Sequence, residues 1–344
     1  MRRDKDHEKL DAKKLDYING GHTGSYRSGG YMRKTDSRQH YIDLMIYTAV
    51  FLVVFALSAG VRMRLLGSAP NKLLKVDWNE QTGTIYRDLS YGNHAYDLYI
   101  PAGLDTSEDQ YLILFIHGGS FNSGSKEDGD AWCKFYASKG YIAATVDYTL
   151  QNHGRTATID LMIEEIEDAV SSIKEKSASL GYHIAAMASS GVSAGGTLAM
   201  NLAYKGRSSI PVRFVFQLAA PTWFDPADWG LLKKVDKLVT DEEFISMMSA
   251  CGDWKTISPA GIVQSGSVPT LMGYGLIDHC VPLDQKHILM EAMDAVGEEY
   301  DYIPFPHSNH GMYNDLDKMQ EFIDMSLFYC ERYFHRNMVY EKTE

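Results

Sequence analysis

The sequence predicts an α/β protein: a mostly parallel central sheet with helices on both faces, a helical insert late in the chain, and one transmembrane helix ahead of the sheet. Three observations predict it. From about Gln81 onward, continuous apolar runs of strand length alternate with segments of helical periodicity. The pentapeptide Gly191-Val192-Ser193-Ala194-Gly195 lies between a strand-like run (His183 to Ala188) and a helix-like one (Thr197 to Tyr204). Leu44 to Val61 carries 18 residues without a charge, which as a helix reaches roughly 27 Å, close to the hydrocarbon thickness of a bilayer.

Taken in order, residues 1–40 form a basic leader. Within it, Asn19 to Gly30 (NGGHTGSYRSGG) is too rich in glycine and serine to build a core, which predicts disorder. Residues 41–61 hold the apolar segment, bracketed by Asp43 and by Arg62 and Arg64. The segment reads as an uncleaved anchor with Met1 as the start; with Met32 as the start it resembles a cleavable signal, but no A-x-A site follows. Both readings put the body outside the cytoplasm. Residues 62–80 read as a stalk and 81–344 as the folded domain.

In that domain Thr84–Leu89 and Ala95–Ile100 form a hairpin turning at Gly92-Asn93. Tyr111–Ile116 and Tyr141–Val146 read as strands buried on both faces. Ile159, Met162, Ile163, Ile166, Ala169, Val170 and Ile173 recur at three- and four-residue steps, the pattern of an amphipathic helix. Val212–Leu218, Pro269–Tyr274 and Tyr300–Phe305 supply later strands, and a last helix runs from Leu316 to Phe334. About 220–265 forms an insert. Thr240 and Glu243 make a capping box for a helix through Ala250 that Gly252 ends.

The net charge of −12 argues against a nucleic-acid partner. The charge is uneven: residues 1–40 hold ten Lys/Arg and six Asp/Glu, and the rest hold 23 and 39. Apolar residues make up 45% and mean hydropathy is −0.25, as expected of a soluble globular protein with a substantial core. Cys133, Cys251, Cys280 and Cys330 are widely spaced. They read as buried thiols, or as two disulfides if the body is exported. No His/Asp/Cys cluster has the spacing of metal ligands, so no metal and no cofactor is expected.

A G-x-S-x-G between strand and helix turns sharply and lifts the serine oxygen clear of the backbone. Serine is a weak nucleophile at neutral pH and needs a base. Of the twelve histidines, His310 is the first candidate. It lies in a short loop after the last strand and so at the carboxyl edge of the sheet, where Ser193 also sits. His307, closer to the strand end, ranks second. Histidine needs a carboxylate to fix its tautomer, and Asp278 follows the strand at 269–274 in another carboxyl-edge loop. Asp284 is the alternative, though it reads as the cap of the next helix. Backbone donors for an oxyanion come from Gly118 and Gly119, in His117-Gly118-Gly119-Ser120, and from Ala194 at the start of the following helix.

His117-Gly118-Gly119, Asp147-Tyr148, Gly191-x-Ser193-x-Gly195-Gly196, Asp278 with Val281-Pro282, and His310-Gly311 stand in an order that resembles α/β-hydrolases, in particular hormone-sensitive-lipase-like or feruloyl-esterase-like carboxylesterases. The resemblance covers about 84–335. It implies hydrolysis of small or carbohydrate-linked carboxylic esters by an acyl-serine route without a cofactor. It also implies that His117 shapes the oxyanion loop and that Asp147-Tyr148 braces it. Two positions depart from the family: Ser120 replaces a third glycine, and Thr149 stands where an arginine often follows Asp-Tyr. Both leave the triad intact.

Trp223, Phe224, Trp229, Met247, Met248 and Trp254 make the insert apolar and adaptable. Trp223 and Phe224, just after a strand, are expected to line an acyl or alcohol pocket. The expected protein is a membrane-tethered serine esterase acting outside the cytoplasm on a small-molecule ester. An amidase or peptidase on the same scaffold, and an adhesion protein with an inactive hydrolase body, are the competing readings. Oligomeric state is not legible.

Overall fold

The computed structural model describes residues 72–151, 157–225 and 253–334. The basic leader, the apolar run 44–61, Trp229, Met247, Met248, Cys251 and the capping-box helix expected through Ala250 lie outside them. Among the described residues no helix is long and apolar enough to cross a membrane.

Eight strands form one sheet: β1 (Gly83–Tyr91), β2 (His94–Pro101), β3 (Gln110–Ile116), β4 (Ile142–Val146), β5 (Ile184–Val192), β6 (Val212–Leu218), β7 (Thr270–Gly275) and β8 (Tyr300–Phe305). The spatial order is β1-β2-β4-β3-β5-β6-β7-β8. β1 and β2 form the expected hairpin, β2 also pairs antiparallel with β4, and every later pairing is parallel. A bulge interrupts β1 between Tyr86 and Leu89, where Asp88 takes a φ of 53° and its N–H donates to Asp97 Oδ1 at 2.9 Å.

The described helices of more than one turn are α1 (Asp130–Ser138), α2 (Ile159–Ser179), α3 (Ala194–Lys205), α6 (Asp284–Val296) and α7 (Leu316–Phe334); α4 (Trp254–Ile257) and α5 (Pro259–Ile262) are single turns. Thr158 caps α2, its hydroxyl accepting from Leu161 N at 3.1 Å. The apolar alternation of the strands divides the core in two. Leu112, Leu114 and Ile116 pack with α2, α3 and α6 on one face. Ile113 and Phe115 pack with α1 and α7 on the other. Period-two alternation of wholly apolar strands between two helical layers is what makes their runs continuous in sequence.

Three elements differ from the sequence reading. α1 was not expected, because its apolar positions (Trp132, Cys133, Phe135, Tyr136, Ala137) crowd into a span of six residues rather than recurring over several turns. β5 runs four residues beyond Ala188, through small polar residues whose hydroxyls are satisfied locally: Ser189 donates to Ala199 O and Ser190 to Leu114 O. Asp284 is the first residue of α6 rather than its cap, which is Leu283.

Cys133 and Cys330 are buried, as expected, but Cys280 is exposed, and no disulfide joins the three to one another.

Candidate active site

β3, β5, β6, β7 and β8 end on one edge of the sheet, and the loops leaving that edge build the site. Val192, the last residue of β5, stands opposite Leu218 of β6, and Ser193 N donates to Leu218 O at 2.8 Å. Ser193 itself takes φ 56°, ψ −126°, a strained conformation for a non-glycine residue that costs on the order of 1–3 kcal/mol. It is held because the flanking turn is tight. A Cβ on Gly195 would fall 2.1 Å from Ile116 O, and one on Gly191 would fall 2.4 Å from the Gly195 carbonyl carbon.

His310 comes from the loop after β8. Its Nδ1 donates to Asp278 Oδ2 at 2.8 Å, which leaves Nε2 to accept from Ser193 Oγ at 3.0 Å. Asp278 comes from the loop after β7. Its side chain is almost fully shielded, and its other oxygen accepts from Cys280 N at 2.7 Å and Val281 N at 3.0 Å. The carboxylate therefore has partners on both oxygens and a fixed orientation. The structure brings Ser193, His310 and Asp278 together in the order serine, imidazole, carboxylate.

The alternatives fall elsewhere. His307 Nδ1 donates to Asp315 Oδ1 at 2.8 Å, and its side chain points largely into solvent. Asp315 also accepts from His307 N and Ser308 Oγ. Burial alone would raise the Asp315 carboxyl; these hydrogen bonds outweigh it and hold the group below its ordinary value.

The segment expected to bind an oxyanion follows β3. Gly118 is close enough to the serine that a Cβ on it would lie 3.3 Å from the Ser193 Cβ. Gly119, Ser120 and Phe121 all have positive φ, at 108°, 52° and 63°. Ser120 thus keeps the left-handed backbone that a third glycine would adopt freely, at a cost of roughly 1–2 kcal/mol. The turn is pinned from beneath. Phe121 is buried against Phe224, and Phe121 O accepts from Gln151 N. Tyr148 stacks on His117 and donates to its carbonyl, and Asp147 Oδ1 accepts from Lys126 N. His117 Nδ1 donates to Gly118 O at 2.8 Å, and burial lowers the imidazole's pKa, favouring the neutral form. These contacts fit a bracing part for Asp147-Tyr148 and a shaping part for His117. Thr149, where the family often has arginine, is tied to α2 instead through two hydrogen bonds to Glu165. Ala194 opens α3, so its N–H has no partner within the helix.

A cavity of about 840 Å³ opens on Ser193 and His310, lined also by Gly118 and Gly119. Trp223 and Phe224, expected in a pocket wall, are not among its described lining. Phe224 is fully buried under the oxyanion turn, and Trp223 packs edge-on against Trp254 at 4.7 Å. Gln285 Oε1 accepts from Trp223 N, and Ser258 Oγ accepts from Phe224 N, so this stretch is held to α6 and to the junction of α4 and α5. The walls come instead from residues the sequence did not single out: Phe115, Glu127, Asp128, Asp130, Trp132, Tyr313 and Met319 among them. The run Lys126–Asp130 (KEDGD) close behind His-Gly-Gly-Ser was the available signal.

Asp278, Cys280 and His310 also bring three potential metal-ligand atoms within 4.8 Å of one another. Sequence spacing hides this, because the three come from two loops. In this geometry the carboxylate and imidazole already engage each other.

The chain is similar to known proteins in sequence and in fold. Esterase LipI of Mycobacterium tuberculosis is 25% identical over 209 residues, which are 59% of this chain and 61% of that protein, so the likeness spans less than two thirds of the relative. A truncated carbohydrate esterase from gut microbiota superposes with a TM-score of 0.60 at 20% identity, over 74% of this chain and 98% of that one. Thermogutta terrifontis esterase 2 phosphonylated by sarin gives 0.60 at 20% identity, over 75% and 98%. These structures share the fold. The profile of the BD-FAE family matches residues 96–293, more than half of the chain, from β2 through α6 and including both Ser193 and Asp278; the chain belongs to the BD-FAE family.

Proposed function

We propose that the chain is a serine carboxylic-ester hydrolase. The observation that carries this reading is the continuous relay from Ser193 Oγ to His310 Nε2 at 3.0 Å and from His310 Nδ1 to Asp278 at 2.8 Å, opening on a cavity beside two glycine N–H groups. In the proposed reaction Ser193 Oγ attacks the ester carbonyl carbon while His310 Nε2 takes its proton. The oxyanion is held by the N–H groups of Gly118, Gly119 and Ala194. His310 then returns the proton to the leaving alcohol, and the acyl group stays on Ser193. Water, deprotonated by His310, attacks the acyl-serine carbonyl, the acyl–Oγ bond breaks as His310 returns the proton to Ser193 Oγ, and the acid is released. Asp278 holds the imidazole tautomer throughout. The chemistry needs no metal and no cofactor.

Small acyl esters, including those on carbohydrates, are the proposed substrates. Similarity to a carbohydrate esterase and to esterase 2 of Thermogutta terrifontis supports this class. Hydrolysis of 4-nitrophenyl acetate and butyrate, set beside aminoacyl 4-nitroanilides, tests it. Turnover of the esters at rates at least a hundredfold above the anilides is expected; turnover of the anilides alone would favour an amidase. We further propose that 44–61 anchors the chain in a membrane with the catalytic body outside the cytoplasm. Only the uncharged run and its flanks support that reading, and protease protection of 81–344 in sealed vesicles tests it.

A further inference from the structure

The cavity on Ser193 has two chemically different walls. Phe115, Trp132, Val192, Leu218 and Met319 make one apolar wall, with Phe115 and Trp132 stacked at 5.9 Å. The other is formed by the turn Lys126–Gly129 and the first residue of α1, which place Glu127, Asp128 and Asp130 on the lining. No lysine or arginine is among the described lining residues.

The cations that pair with this wall, Lys126, Arg87 and Lys134, are not among the cavity's described lining residues. Lys126 is buried and pairs with Asp97 at 3.0 Å, Asp88 at 2.8 Å and Glu127 at 2.7 Å. Arg87 pairs with Asp97 and with Asp130 at 2.7 Å, and Lys134 pairs with Asp130 at 2.6 Å. Glu127, Asp128 and Asp130 on the lining thus belong to a cluster of five carboxylates (with Asp88 and Asp97) against three cations, a net charge of two negatives. Glu127 and Asp130 are both held in the ionised form. The hydrogen bond from Lys126, with a further one from Ser125, brings Glu127 down to about 2. Burial would raise Asp130, but hydrogen bonds from Lys134, Arg87 and Tyr99 outweigh it and lower the group.

We infer that this acidic wall selects substrates by charge: esters whose alcohol half is cationic or neutral are taken, and esters carrying an anion are turned away. The inference rests on the esterase reading above and adds the substrate class. The acyl chain is matched to the apolar wall and the polar half to the acidic one, where uncharged hydroxyls can also donate to the carboxylates. At about 10 Å in a watery dielectric, one unit charge changes the local concentration of a monovalent substrate roughly twofold. Two net charges give about fourfold for each sign of substrate, and on the order of tenfold between a cationic and an anionic ester at low salt.

The test uses the full-length chain and three butyryl esters followed by acid release: butyrylcholine, its neutral isostere 3,3-dimethylbutyl butyrate, and the butyryl ester of 3-hydroxypropionate. The expected kcat/KM order is cationic, neutral, anionic, with the outer two differing about tenfold at 10 mM salt and converging toward about twofold at 0.5 M. In Glu127→Gln/Asp128→Asn the cationic-to-anionic ratio should fall at least threefold at low salt; the ratio is the readout, so a general loss of activity does not obscure it. Equal kcat/KM for all three esters, or a ratio unmoved by the double substitution or by salt, overturns the inference while leaving the esterase reading standing. No turnover of any of the three overturns both.

Discussion

Tyr148 lies flat on His117, with ring centroids 4.3 Å apart and planes 9° from parallel, and its hydroxyl donates to the His117 carbonyl at 2.8 Å. The contact fixes the residue that leads directly into Gly118 and Gly119. The proposed oxyanion segment is therefore positioned by a side chain that follows β4, as well as by its own turn.

Replacing Tyr148 by Phe keeps the stack and removes the hydrogen bond. Stability should fall by about 1 kcal/mol. Turnover of a 4-nitrophenyl ester should fall up to about tenfold with KM nearly unchanged, because the lost contact positions a group used in the transition state. Urea unfolding together with steady-state kinetics checks both.

Gly118→Ala would set a Cβ 2.6 Å from Val192 O, a distance that forces the oxyanion segment away from Ser193. A drop in kcat of about 10²–10³ is expected, comparable to losing an oxyanion donor, with the folded state retained by circular dichroism.

Asp278→Asn offers His310 an amide where the carboxylate stood and releases the imidazole to the wrong tautomer. By analogy with other triads, kcat should fall about 10⁴-fold. His307→Ala, which alters a histidine paired with Asp315 and turned to solvent, should stay within about twofold of the parent. Rates of the two variants measured side by side separate the two histidines.

The Asp315 carboxyl is held below its ordinary value in the fold. A depressed acid contributes stability that is present above its unfolded pKa of about 3.9 and is lost as the pH falls through the folded value. Asp315→Asn should therefore be less stable than the parent by roughly 1–3 kcal/mol at pH 6–8, with the gap closing below about pH 4. Denaturant midpoints across pH 3–8 check the sign.

Burial raises the thiol pKa of Cys133 and Cys330 well above the ordinary value. Neither should alkylate in the native state, whereas exposed Cys280 should. Peptide mapping after iodoacetamide treatment, with and without denaturant, checks it.

The sheet was largely legible from the chain because strands buried on both faces are dominated by apolar residues, unbroken at 111–116 and interrupted only by Thr145 in 142–146 and by Arg213 and Gln217 in 212–218. The candidate triad was legible for a related reason: each of its members follows a parallel strand closely, and parallel strands end on one edge. The pocket wall was not. Trp223 and Phe224 follow a strand in the same way, yet Gln285 and Ser258, some 60 and 35 residues further on, hold their backbone to α6 and to the junction of α4 and α5. No local pattern announces such a long-range hydrogen bond. The acidic wall was missed for the opposite reason, since a charged run after a glycine turn reads as a solvated loop until the fold sets it beside the serine.

The central claim is that Ser193 is the activated nucleophile of this site. Treatment with a fluorophosphonate probe, followed by proteolysis and mass spectrometry, tests it most directly. A single adduct on Ser193, absent in Ser193→Ala and strongly slowed in His310→Ala, is the predicted result. Failure of the active-pH protein to label, or an adduct on any other residue with Ser193 unmodified, would contradict it.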